Sequence, residues 1–315
     1  MTEEQEVIID DTTPEEQEDT LTPERLDTIT YRLIALGFVL LTLVITTGAV
    51  WAQSAWGKWW SWDPKETSAL VAWFVYVMYL HGRLVGWAKR TTAWIALVGA
   101  FAVLFCYAGI NMLPKGASIH QYGAPTGGLK EALASSFLGL EGPEEWLTKA
   151  FLFCYLLTFI GYLVGTAFRS MASKKIVLLG VVPSIVGFGF HTAAMALRSI
   201  QAGRLPFSSG YEYASCFAWS MVLLLLIMQV RVKCPVVGLW SMPLVALILG
   251  YGFLGFENKG VEDLMPALQN MFWLHVHVAI AIISYAALLL ATGTAGLYLW
   301  KTRGKRGVEA ETDEE

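Results

Sequence analysis

Five histidines and one short run of tryptophans are the residues of this chain best suited to chemistry. The run WAQSAWGKWWSWDPKET carries Trp51, Trp56, Trp59, Trp60 and Trp62 within twelve residues, interrupted by Gly57. Flat indole faces stack on large planar ligands and exclude water from them. Tryptophan also gathers at headgroup depth as an interfacial belt. On physics alone, a belt and a binding platform account for the run equally well. The histidines fall at His120 in SIHQYG, His275 and His277 in WLHVHVAI, His81 in YLHGR and His191 in FGFHTAAM. One histidine alone is ordinarily a hydrogen-bonded structural residue. As a set they argue otherwise, because ionisable groups inside apolar spans are costly and default to function. Neutral imidazole is also a common axial donor to haem iron. Two histidines from distant parts of the chain, flanking an aromatic surface, are what a bis-histidine haem site requires.

Charged residues around the tryptophans have separate assignments. Asp63, Pro64 and Glu66 stand at N-cap, first and third helical positions, so they predict a capping box that starts the next helix. Lys58, Lys65 and Arg204 are the candidates for meeting anionic ligand groups. Cys106, Cys154, Cys216 and Cys234 are dispersed without a CxxC pair and read as small apolar side chains. The chain contains no CxxCH, so it is not itself a c-type cytochrome.

The elements that must position these groups are membrane spans. Hydrophobic residues make up 55% of the chain and charged ones only 15%, well below the quarter usual for soluble domains. Eight apolar runs predict spans at about 31–52, 67–88, 91–113, 149–168, 176–198, 214–230, 235–255 and 271–300. The expected fold class is therefore an all-α polytopic membrane bundle of eight helices. Residues 1–24 hold ten acids and no Lys or Arg, and residues 309–315 hold five more acids. That leaves eleven acids against 22 bases in a basic membrane body, with 1–24 and 304–315 read as solvated acidic tails. No cleavable secretory signal is expected ahead of the first span. With the N-terminus inside, fourteen Lys and Arg fall on the inner side and eight on the outer, so both termini are expected to be cytoplasmic. Loop 114–148 then lies outside with His120, and residues 131–145 predict a surface helix.

The tryptophan run resembles the WWD motif of the CcsA/CcmC/CcmF haem-handling superfamily. Its surroundings, YLHGR, CYAGINML and IHQYG, together with HTAAMALRSIQAGRLPFSSGYE and WLHVHVAIAIISYAAL, are similar to the CcsA (ResC) family of cytochrome c biogenesis system II. The likeness covers about residues 25–125 and 150–303. It implies a WWD half at 25–113 (three spans), the loop 114–148, and a second half at 149–303 (five spans). The family's order has the second of these halves first, so the resemblance implies a circular permutation. It further implies haem b on an external platform of Trp56, Gly57, Trp59, Trp60, Trp62, Asp63 and Glu66. His120 and His277 would be the iron ligands there, with His275 a weaker candidate, and His81 would be a ligand at a membrane transit site. His191 matches a family position of no specified role. Ser68 and Trp59 depart from the motif, standing where the family often has Trp and Tyr.

The function so implied is transport and presentation of haem and its covalent attachment to apocytochrome c, as the haem lyase (cytochrome c synthase) component. A CcsB/ResB-like membrane subunit, an apocytochrome with CxxCH and a thioredoxin-like thiol reductant are the expected partners, and no nucleic acid is. The bacterial cytoplasmic membrane is the expected location, with the haem site on the outer face. Alternatives are CcmC-like delivery to a haem chaperone without thioether formation, a respiratory b-type haem protein, and a plain solute transporter. The tryptophan segment and outer histidines leave the transporter without support.

Overall fold

Apolar runs of about 20 residues or more close their own backbone hydrogen bonds as helices in a bilayer. The computed structural model bears this out, and it describes residues 22–114, 116–120, 140, 142–167, 173–232, 235–256, 259–261, 264 and 268–303. Eight long helices run through these residues: α1 (Pro23–Trp56), α2 (Pro64–Leu84), α3 (Lys89–Tyr107), α4 (Gly142–Ala167), α5 (Ser173–Ala202), α6 (Gly210–Val232), α7 (Pro235–Gly255) and α8 (Met271–Lys301). A short 3-10 turn, Gly109–Met112, extends α3, and no strand occurs among the described residues. Seven of the eight helices are long and apolar enough to cross a membrane. The eighth, α2, has 21 residues but carries Trp73, Tyr76, Tyr79 and His81 in place of aliphatic side chains, which lowers its apolarity. This is a polytopic all-α membrane protein. The expected surface helix at 131–145 lies mostly outside the described residues, while Gly142 to Glu145 belong to the first turn of α4.

The first and last helices are laid side by side. Ser284 of α8 donates to the Gly37 carbonyl of α1 at 2.8 Å, and the Thr30 and Thr294 hydroxyls meet at 2.7 Å. Small and hydroxyl residues are how membrane helices approach closely when apolar burial alone gives no advantage over lipid. Beyond this pair, α8 also packs on α3 and α6, so it ties α1–α3 to α4–α7. At the end of the bundle holding the α1 N-terminus, Arg83 of α2 pairs with the buried Asp27 of α1 at 2.6 Å.

At the opposite end a second charge network is buried. Arg198 of α5 contacts Glu144 of α4 at 2.9 Å and Glu212 of α6 at 2.8 Å, and Arg204 reaches Glu212 at 3.1 Å. Glu212 also accepts from the amides of Ser208 and Ser209, which caps α6. Removing one member of such a buried network leaves an uncompensated charge, so the network is costly to break. It fixes the turn 205–209, which forms one wall of the cavity described next.

Candidate functional site

That cavity opens at the end of the bundle where α1, α3 and α5 finish and α2, α4, α6 and α8 begin. It encloses about 1090 Å³ when its mouth and the adjoining solvent are included. Its lining includes Trp51, Trp60, Lys65, Glu66, Tyr107, His120, Phe207, Tyr213, Tyr251 and His277.

The tryptophan run does not form one flat plate. Helix α1 continues through Trp56 and stops at Gly57, whose φ of 71° is the left-handed conformation that closes a helix. Trp51 is therefore still helical and buried, 5.5 Å from Trp56 at an interplanar angle of 52°. Past Gly57 the chain turns: Trp60 faces the cavity, while Trp59 and Trp62 are 58% and 70% exposed. Trp62 holds φ at 59°, a conformation that costs a non-glycine residue about 1–2 kcal/mol. The indoles thus divide into an inward set around His120 and an outward pair at the surface.

The capping box of α2 is formed, and it does more than start a helix. Asp63 Oδ1 accepts from the Lys65 amide at 2.9 Å, and Glu66 Oε2 accepts from the Asp63 amide at 3.2 Å and the Ser61 amide at 2.8 Å. The same Asp63 carboxylate accepts from Ser118 Oγ at 2.7 Å, the Ile119 amide at 2.8 Å and His120 Nδ1 at 3.0 Å. Burial alone would raise the Asp63 carboxyl, but these donors outweigh it and hold its pKa below the ordinary 3.8. Burial lowers the His120 pKa and the nearby Lys65 charge lowers it further, outweighing Asp63 and Glu66, so the ring stays neutral below its ordinary 6.5. The contact is therefore a neutral N–H donating to a carboxylate, not an ion pair. It puts the proton on Nδ1 and leaves Nε2 with the lone pair, the arrangement by which carboxylates orient metal-binding histidines.

His277 is prepared in the same way. Its Nδ1 lies 3.3 Å from Thr47 Oγ1, and that hydroxyl spends its own proton on the Leu43 carbonyl at 2.6 Å. Nδ1 must then be the donor, and Nε2 again keeps the lone pair. The close approach depends on Gly48, where a Cβ would come within 2.9 Å of His277 Cε1. Trp51 stands beside both rings, with centroids 6.4 Å from His120 and 5.6 Å from His277, and Trp56 lies edge-on to His120 at 4.9 Å.

The other candidates go elsewhere. His275 precedes His277 by two residues, about 200° around a helix, so it faces away and meets Phe207 at 5.9 Å. His191 is fully buried and stacked on Phe151 at 4.0 Å, and its nitrogens bond Tyr155 Oη at 3.0 Å and Ser215 Oγ at 2.8 Å. Both of its nitrogens are thus engaged. His81 is exposed near the far end of α2. Lys65 lines the cavity, Lys58 lines a shallow outer groove with Trp62, and Arg204 is bound to Glu212. Sequence reasoning passed over Thr47, Gly48, Ser118 and Tyr107. Thr47 and Gly48 sit one turn before Trp51 on the same helix, a spacing that was the available signal.

The family model described as "Cytochrome C assembly protein" matches residues 13–118 and 208–314. Among curated relatives, the "Cytochrome c biogenesis protein CcsA" of Synechococcus sp. (strain RCC307) is 56% identical over 101 residues, 32% of each chain. The protein of the same name from Prochlorococcus marinus subsp. pastoris is 55% identical over 101 residues, again 32% of each. The matched stretch thus spans about a third of the length of these relatives. No solved structure matches. With both matched segments covering most of the chain, and with the paired imidazoles seated among its tryptophans, this chain belongs to the cytochrome C assembly protein family and has CcsA proteins among its relatives.

Proposed function

We propose that this protein holds haem b as cargo between His120 and His277 and presents it for covalent attachment to apocytochrome c. One observation carries the reading. Two imidazoles from segments more than 150 residues apart line one aromatic cavity, and each has its Nδ1 occupied by a fixed acceptor and its Nε2 left as a donor to metal. The donor set fits haem iron, which takes axial imidazoles in a pocket that excludes water. Haem would supply vinyl groups, across which the S–H of each CxxCH thiol adds to form a thioether. The chain's own contribution is orientation: Asp63 and Thr47 fix the two rings, Trp51 and Trp56 wall them, and the Arg198–Glu212 network holds the facing turn.

A CcsB/ResB-like subunit is the proposed second partner. His81, exposed near the other end of α2, supports a transit site completed by a histidine from that subunit. The reading places the protein in the bacterial cytoplasmic membrane with the cavity on the outer face, and a thioredoxin-like reductant keeps the apocytochrome thiols reduced. We also read the two halves as exchanged in order relative to the family. The side-by-side packing of α1 and α8 supports this, since the link between them is the one such an exchange would cut.

The test is an absorption spectrum with a pyridine haemochrome assay on the detergent-purified protein. Bound haem b that is weakened by His120→Ala and by His277→Ala is the expected result. A spectrum unchanged in both variants would overturn the assignment.

A further inference from the structure

The cavity has a second, polar region that the two imidazoles do not use. From Lys65, beside the histidines, a ladder of rings runs inward. The Lys65 ammonium lies 6.0 Å from the Tyr213 ring centroid. Tyr213 stacks on Tyr107 at 5.4 Å, and Tyr107 packs edge-on to Phe217 at 5.0 Å. Phe217 is fully buried, so this is the deep end, whereas Trp60 touches the exposed Trp62 and marks the shallow end.

Tyr107 lines the cavity, is only 6% exposed, and its hydroxyl has no hydrogen-bond partner among the described residues. A buried donor left unpaired costs free energy, and such groups in native structures call for an explanation. The neighbouring polar groups are already engaged. Asn111 Nδ2 donates to Tyr251 Oη at 2.8 Å, Tyr285 Oη meets Cys106 Sγ at 3.4 Å, and Glu66 accepts from the Ser61 and Asp63 amides. A cation and an orphan hydroxyl donor, facing one cavity a single ring apart, are suited to an acceptor that carries negative charge.

We propose that Lys65 and Tyr107 form a carboxylate site that receives the propionate edge of the haem. This rests on the haem reading above and adds an orientation to it. With the carboxylates at the deep, tyrosine-lined end, the vinyl-bearing edge lies towards Trp60 and the mouth, where an incoming CxxCH segment reaches it. Orientation of the macrocycle in its own plane is then set by this chain rather than by the apocytochrome.

The experiment titrates detergent-purified protein with ferric haem, haem dimethyl ester (propionates masked) and mesohaem (vinyls saturated, propionates kept), read by Soret absorbance. Wild type binds haem and mesohaem alike and the diester about 10-fold or more weaker, the size of a hydrogen bond to a charged group. Tyr107→Phe and Lys65→Met lower the affinity for free-acid haem towards that for the diester and leave the diester unchanged. Because the hydroxyl has no partner among the described residues, Tyr107→Phe also leaves the melting temperature of the empty protein unchanged or raises it. The proposal is overturned if wild type binds the diester as tightly as haem, if the discrimination survives in both variants, or if Tyr107→Phe lowers the melting temperature of the empty protein. If none of the three porphyrins binds, or if binding ignores His120→Ala and His277→Ala, it is the haem reading itself that fails.

Discussion

Replacing Asp63 by Asn tests whether one carboxylate both starts α2 and equips His120 to bind iron. In the folded protein Oδ1 accepts from the Lys65 amide, Ser118 and His120, while Oδ2 accepts from the Ile119 amide. Asparagine caps helices about as well as aspartate. With its amide oxygen in place of Oδ1, Asp63→Asn keeps three of the four bonds and loses the charge. Its NH2 group faces the Ile119 N–H, and two opposed donors cost about 1–3 kcal/mol of stability. The effect on the site is separate. Loss of the carboxylate behind a metal-binding histidine lowers affinity about 10- to 100-fold, or about 1.4 to 2.7 kcal/mol at 1.36 kcal/mol per decade. A neutral partner also makes His120 a poorer electron donor, so the reduction potential of bound haem rises. Haem titration, potentiometry and thermal melts on one preparation read all three. A variant that melts lower yet binds haem with unchanged affinity and potential would show that Asp63 is a cap and nothing more.

Three further outcomes are expected. Gly48→Ala adds a methyl 2.9 Å from His277 Cε1, so the ring must shift and haem affinity falls about 10-fold or more, and the crowding, about 1–3 kcal/mol, lowers the melting temperature of the empty protein despite alanine's better helix propensity; unchanged haem affinity would refute the steric argument. His191→Ala removes the partners of Tyr155 and Ser215 and the stack on Phe151, costing about 3–5 kcal/mol of stability, yet the haem spectrum of the folded fraction is unmoved, as absorbance after gel filtration will show. Acidification has a definite sign: His120 is held neutral below its ordinary 6.5 when folded, so its contribution to stability is full above that pH and is lost as pH falls beneath it. Melting temperatures of the empty protein therefore drop between pH 7 and pH 5, by up to about 1.4 kcal/mol per pH unit from this group, and His120→Gln flattens the drop.

The eight long helices and the capping box at Asp63 were legible in the sequence, because hydropathy and cap chemistry are local, although only seven of the helices are apolar enough to span a membrane. Length and backbone satisfaction leave an apolar run of 20 residues few alternatives to a helix, and the observed helices fall within a few residues of the expected runs except at α1 and α4, which start earlier, and α3, which ends earlier. Trp60, Lys65, Glu66, His120 and His277, which line one cavity, were each singled out by residue type and motif, but their separate places were not legible. Trp51 looked like one of five equivalent indoles, although only the continuation of α1 to Trp56 makes it the ring beside both histidines. Arg204 looked like a free cation on the face of the site, and it is committed to Glu212.

Residue types and local pattern determined that this chain is a membrane bundle carrying tryptophans and histidines near one end. Tertiary structure alone decided which nitrogens carry protons, since that depends on Asp63 meeting His120 and Thr47 meeting His277 across 57 and 230 residues of chain. It also separated His277 from His275, because the turn of a helix sends neighbours two apart to opposite faces. Such distinctions arise from packing between distant segments, which no local pattern encodes.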